Sequence, residues 1–282
     1  MKIINLLVYG NFLIAMCAYA QTLQTLYFLG YPFSFGQSLP VFVAFATFFL
    51  YNIHKPITFF LKNQLIDNQR FLKTKTFSIP LSILTVLAGL VCLYLFFQLQ
   101  LATQVSLLIA AFFSLAYVLP IFNGKRLRDF PYVKIFTIAF VWSLVTVLLP
   151  FLDTQTTINR ITLLILSEKS FFVFALTLPF DIRDMDWDTK TDVKTIPLSI
   201  GVKKTKILAL FCLFICAIHV ILLFQLKTYS LKDTGWLITS YAISGMAVGL
   251  TQKEKNDYFF YGLIDGMLLL QTVFLLLLGH NV

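Results

Sequence analysis

Runs of close to twenty apolar residues recur along the whole chain, separated by short polar stretches. A helix needs about 20 such residues to cross a bilayer, so the repeat predicts an all-α polytopic membrane protein. The spans fall near residues 3–29, 38–61, 78–97, 101–121, 132–152, 159–182, 205–226, 232–250 and 258–279, nine in all. Pro32 follows the first, Pro80 opens the third, Pro120 ends the fourth and Pro131 precedes the fifth. At those places the missing N–H of proline costs a helix least. No stretch is left over for a soluble domain, and residues 1–282 read as a single intramembrane domain. Charged residues make up 12% of the chain, against about 25% in soluble domains, which excludes a water-soluble fold.

A formal charge of +9 raises the question of nucleic acid, but the basic residues sit at the ends of apolar runs and form no soluble basic face. Nucleic acid is therefore not expected as a partner; membrane lipid is. With the N-terminus inside, Lys2 and segments 55–75, 125–134, 183–206 and 253–255 hold 18 of the 22 basic residues, and Arg160, Lys169, Lys227 and Lys232 fall on the other side. The positive-inside rule then places the N-terminus and these loops in the cytoplasm, at the plasma or inner membrane if the source is bacterial. Cys17, Cys92, Cys212 and Cys216 lie inside apolar runs without metal-ligand spacing and read as small buried residues. Ala18-Tyr19-Ala20 resembles a signal cleavage site, yet the apolar pattern runs on to Leu29, so the first helix is expected to be retained.

Five of thirteen acidic residues fall within twelve positions, Asp181, Asp184, Asp186, Asp188 and Asp192, directly after an apolar run. At about 100° per residue, Asp181, Asp184, Asp188 and Asp192 share one stripe of a helix and Asp186 points away. Aligned like charges need something positive among them. Carboxylates are the ligands magnesium prefers, usually one or two of them together with substrate phosphates. A solvated loop paired with Arg183, Lys190, Lys194 and Lys203 is the alternative reading of the same residues.

The stretch DIRDMDWDTKTDVKTIPLSIG, residues 181–201, resembles the second aspartate-rich motif of the UbiA superfamily of intramembrane prenyltransferases. Asp181, Asp184, Asp188, Lys194, Thr195, Pro197 and Gly201 fill the places of that motif. A second region, AYVLPIFNGKRLRDFPYVK at 116–134, resembles the family's tyrosine, proline and basic-pair loop and supplies Tyr117, Lys125, Arg126, Arg128 and Lys134, of which Lys125 and Arg126 are favoured as phosphate contacts. The resemblance departs at the first motif. Where the family carries NDxxDxxxD, this chain has Asn52 followed by Ile53, Pro56 and Phe60 in the places of the acids. His54 and Lys55 stand nearby, and Asp67 reads as a loop residue.

The resemblance implies a Mg2+ site at Asp181, Asp184 and Asp188, which would be the catalytic residues. Donor contacts would come from Asn52, Lys55, Tyr117, Lys125, Arg126, Asp192 and Lys194. It further implies transfer of a polyprenyl group from a prenyl diphosphate to a lipophilic acceptor, of aromatic or quinone-precursor type. A UbiA-type terpene cyclase and a non-catalytic lipid-binding or transport protein remain open as alternatives. The chain's 31 Phe, 12 Tyr and 3 Trp suit a pocket that shelters a carbocation, with Tyr51, Tyr117 and Trp142 as candidate walls. Asp265, inside the ninth apolar run, reads either as cavity lining or as a helix-packing contact. His219 receives no role.

Overall fold

A computed structural model describes residues 2–32, 37–62 and 78–278, with backbone alone at 2–3, 54–62, 78 and 276–278. Among these residues the regular structure is helical and no strand occurs. Helix α1 (Lys2–Tyr9) is followed by α2 (Phe12–Phe28), α3 (Ser38–Lys62), α4 (Ser78–Phe96), α5 (Leu101–Val118) and α6 (Val133–Asp153). Then come α7 (Arg160–Lys190), the short α8 (Ile196–Ile200), α9 (Val202–Gln225), α10 (Leu231–Gly249) and α11 (Asp265–Leu278). Each expected span is helical. Among the described residues five helices are long and apolar enough to cross a membrane, Ile79–Phe96, Leu101–Val118, Val133–Asp153, Arg160–Lys190 and Val202–Gln225, while Ser38–Ile53 and Phe259–Leu275 are shorter apolar helices.

The helices pack as a closed ring. α2 lies against α3 and α11, α3 against α4, α6 against α7, α7 against α9, α9 against α10, and α10 against α11. Outward-facing side chains such as Leu90, Leu108, Phe211 and Phe214 are apolar and exposed. That surface suits lipid, which asks of a spanning segment only that its backbone be satisfied internally. Phe172, Ala175, Leu178, Cys216 and Val220 are completely buried where α7 meets α9.

The first expected span is broken between α1 and α2. A Cβ on Gly10 would lie 2.2 Å from the Leu6 carbonyl oxygen, and Asn11 adopts φ 64°, a left-handed conformation that asparagine tolerates better than most residues. Asn52 of α3 seals the break. Its amide donates to the carbonyls of Gly10 (3.1 Å) and Phe48 (3.0 Å), and its oxygen accepts from Asn11 (2.9 Å).

α7 positions the acidic stripe. The Asn159 side chain caps its start, accepting from the N–H groups of Ile161 (2.9 Å) and Thr162 (3.2 Å), a favourable N-cap arrangement. The helix does not stop at the expected edge near 182 but continues to Lys190, past Pro179, whose missing N–H deprives the carbonyl four residues back of a helical partner. It ends at Thr191, and Asp192 turns away with φ 53°.

Charge counting assigns Lys169, inside the expected sixth span, to the far side of the membrane; in α7 it is 1% exposed and serves the interior of the bundle. Its ammonium donates to the side-chain oxygens of Gln21 and of Gln271, the latter at 2.9 Å. Gln271 donates to the Tyr241 hydroxyl (3.2 Å), which in turn donates to Glu168. Helices α2, α7, α10 and α11 are thus tied together by one polar loop inside an apolar bundle.

Candidate active site

Three helical ends converge on the acidic stripe. Lys134, at the start of α6, is 6% exposed and places its Nζ 2.8 Å from Asp181, 3.7 Å from Asp184 and 3.6 Å from Asp188. The spacing i, i+3, i+7 therefore does what it predicts for these three carboxylates. Asp192, beyond the helix end and exposed, does not share their face. Asp186 points outward and pairs with Lys253.

Arg183 reaches Asp184 through Nε (2.8 Å) and Nη2 (3.1 Å). Its guanidinium carbon lies 5.0 Å, 5.2 Å and 4.9 Å from the ring centres of Phe180, Phe260 and Tyr261. Phe260 and Tyr261 come from the π-helical turn Phe259–Ile264 that precedes α11. Such turns insert a residue, rotate those that follow, and often occur at functional sites. Arg128 lies 5.2 Å over the Tyr117 ring. Its guanidinium is held above its ordinary pKa by Tyr117 first, against burial, with Asp184, Asp129 and Asp188 adding to the effect.

The favoured basic pair sits elsewhere. Arg126 grips Asp129 through Nε (2.9 Å) and Nη2 (2.7 Å); burial pushes the Asp129 carboxyl up, but this clamp outweighs it and holds the pKa below the ordinary value. Lys125 is exposed in the turn it makes with Phe122. The loop's contribution to the acidic stripe comes from Arg128 and Lys134, which an i, i+1 basic pair does not single out; the signal available in the sequence is the Pro131 helix start that leaves Lys134 on the first turn of α6. Lys194 has an exposed side chain, and its carbonyl accepts from the Tyr132 N–H (3.0 Å), so its backbone fastens the two loops together. Asn52 is committed to the α1–α2 break and offers no oxygen to a donor. The side chains of His54 and Lys55, and Asp67, lie outside the described residues.

A cavity of about 280 Å³ is lined by Ala18, Phe42, Tyr51, Phe96, Trp142 and Thr146 among others. Both aromatic candidates from the second and fifth spans, Tyr51 and Trp142, are in its wall. A second π-helical turn, Leu144–Leu148, presents Val145 and Thr146 to it, and the Thr146 carbonyl accepts from the Thr25 hydroxyl (2.7 Å). Tyr51 is within electrostatic reach of Tyr117, Tyr261 and Asp265, and Asp265 of Arg183. Asp265 is thus within electrostatic reach both of a wall residue of the apolar chamber, Tyr51, and of Arg183 of the charged stripe.

The expected Mg2+ site does not fit the stripe as folded. Among the described residues no group of three His, Cys, Asp or Glu side chains is arranged to hold a metal ion. The point on which the three carboxylates converge is taken by the Lys134 ammonium.

Residues 69–261 match the sequence profile of the UbiA prenyltransferase family. No curated protein matches the chain in sequence. Among solved structures, a UbiA homologue from Archaeoglobus fulgidus bound to GPP and Mg2+ superposes with a TM-score of 0.66 at 13% identity, covering 99% of both chains. A UbiA homologue from Aeropyrum pernix gives a TM-score of 0.64 at 11% identity, covering 92% of this chain and 96% of the other. A structure described for digeranylgeranylglyceryl phosphate synthase in membranes gives 0.58 at 16% identity, covering 96% and 98%. At such identities the structures speak for the fold, and the profile for the family. This integral membrane chain, with its acidic stripe at the end of α7 and its aromatic chamber, belongs to the UbiA prenyltransferase family.

Proposed function

We propose that the protein transfers a prenyl group from a prenyl diphosphate to a lipophilic acceptor, of aromatic or quinone-precursor type, at the Asp181–Asp184–Asp188 stripe. The observation that carries this reading is the presence in one bundle of a buried charged cluster and an apolar aromatic cavity, linked electrostatically through Asp265, which suits a substrate with a diphosphate head and a hydrocarbon tail. The Archaeoglobus fulgidus homologue solved with GPP and Mg2+ supports the donor class.

In this mechanism the diphosphate approaches Arg128, Lys134 and Arg183. Lys134 Nζ and Arg183 Nη1 are buried, and their N–H groups can exchange carboxylate for phosphate oxygens as the donor arrives. As the carbon–oxygen bond breaks, its electron pair leaves with the diphosphate and these cations stabilise the developing charge. The allylic cation left behind sits against the rings of Tyr51 and Trp142, whose faces attract it and whose cavity excludes water. The acceptor forms the new bond to that carbon and yields a proton to the released diphosphate.

Incubation of purified protein with a panel of prenyl diphosphates and aromatic acceptors is expected to release diphosphate and yield a prenylated lipid by mass analysis. Release without any acceptor would redirect the reading to a cyclase, and no release from any donor would remove it.

The charge bias places the N-terminus and the acidic end of α7 in the cytoplasm. Thr189 is exposed at that end, and the native cysteines are buried or half-buried. A Thr189→Cys variant is expected to react with a membrane-impermeant maleimide in inverted vesicles and not in right-side-out cells; the reverse pattern would invert the topology.

A further inference from the structure

The acidic stripe already contains its own cation. Asp181, Asp184 and Asp188 contribute three negative charges, and Lys134, Arg183 and Arg128 face them with three positive ones. Asp129, the nearby fourth acid, is occupied by Arg126. In the sequence, the first-motif positions hold Asn52, Ile53, Pro56 and Phe60, none of which brings a carboxylate. A resident magnesium needs anionic oxygens in excess of local cations. Here that excess is nil, and an ammonium stands 2.8–3.7 Å from all three carboxylates.

We infer that Lys134 is a tethered cation that takes the place of a divalent metal among Asp181, Asp184 and Asp188, so that the free protein binds no divalent cation there and a prenyl diphosphate docks on Lys134 and Arg128 without one. Its second half rests on the prenyl-transfer reading above; the first half does not. The ammonium is well placed for this role, being buried, held by ion pairs alone, and without a hydrogen-bond partner among the described residues. A compact ammonium on a flexible stem can turn from carboxylate to phosphate when the donor arrives. Asp188 Oδ2, buried and without a hydrogen bond, then keeps the stem oriented. The same residue would also exclude metal, since a divalent ion at this position would meet a fixed positive charge at contact distance.

The test is a Mn2+ titration of the detergent-solubilised full-length protein, read by electron paramagnetic resonance in the absence of any donor. The wild-type protein is expected to show no saturable site at millimolar Mn2+. Lys134→Gln removes the ammonium from Asp181 and Asp188, leaves Asp184 with Arg183, and is expected to gain one saturable site in the range where the wild-type protein shows none. Lys134→Gln combined with Asp188→Asn restores the charge balance and is expected to lose that site again, while serving as a variant whose folding is not burdened by unpaired acids. A stoichiometric Mn2+ site in the wild-type protein overturns the inference, and that measurement needs no variant. So does a Lys134→Gln protein that melts cooperatively but binds Mn2+ no better than wild type. In the second arm, calorimetric binding of a non-hydrolysable prenyl thiolodiphosphate is expected to be equal in EDTA and in Mg2+ for the wild-type protein, and metal-dependent for Lys134→Gln. Binding by wild type only in Mg2+ overturns the inference. Absence of binding under both conditions, beside an unchanged Mn2+ result, instead strikes the prenyl-transfer reading.

Discussion

Replacing Asp181 by alanine is expected to abolish turnover and to lower stability by about 3 kcal/mol, the lower end of the range for breaking a buried pair. Lys134 would lose its partner at 2.8 Å while remaining 6% exposed, and Asp184 and Asp188, at 3.7 Å and 3.6 Å, would compensate only in part. Asp184→Ala and Asp188→Ala are expected to abolish turnover as well. Asp186→Ala serves as the internal control. That carboxylate is on the outer face, 71% exposed and paired only with Lys253, and solvent screening reduces such a pair to between about 0 and 1 kcal/mol. Thermal melts in detergent and product assays on the four variants separate the cases. Equal losses at all four positions would mean that the cluster acts through bulk negative charge and not through its geometry on Lys134.

Lys169→Met is expected to destabilise the bundle by about 3–5 kcal/mol, because it removes the cation beside a buried Glu168 and leaves the Gln21 side-chain oxygen without a donor. Lys169→Met combined with Glu168→Gln is expected to recover most of that loss, since neither charge then remains buried alone. Donor affinity should not change. Lys169 precedes Asp181 by twelve residues of α7, roughly 18 Å at about 1.5 Å per residue. A Lys169→Met protein of undiminished melting temperature but lost turnover would instead place the polar loop in the chemistry.

These two clusters differ in how far the linear chain announced them. The stripe of Asp181, Asp184 and Asp188 was legible because the helical period is a local property, and three acids at i, i+3 and i+7 must share a face wherever the helix continues. Asp192 does not join that stripe for the complementary reason: where a helix ends depends on the docking of the chain beyond it, here the Tyr132–Lys194 backbone contact. Lys169 shows the limit of counting charges by side. A lysine within an apolar run is counted as a charge on one side of the membrane until Gln21 and Gln271, 148 and 102 positions away, supply oxygens that make its burial tolerable.

Composition, apolar run length and helical period determined by themselves that the chain is an all-α membrane protein and that its charged chemistry gathers after residue 180. Those are sums over neighbours in sequence, and no partner from another helix alters them. Which cation meets the acids was decided only by tertiary structure. Lys125, Arg126, Arg128 and Lys134 are all cationic and lie within ten residues. Arg126 is claimed by Asp129 and Lys125 is turned to solvent, while the packing of α6 against α7 carries Lys134 into the stripe. The fate of Asn52 was decided in the same way: its amide is equally able to face a phosphate or a broken helix, and the approach of the Gly10–Asn11 break to α3 made the second the lower in energy, because the carbonyl and amide groups exposed there have no water to turn to.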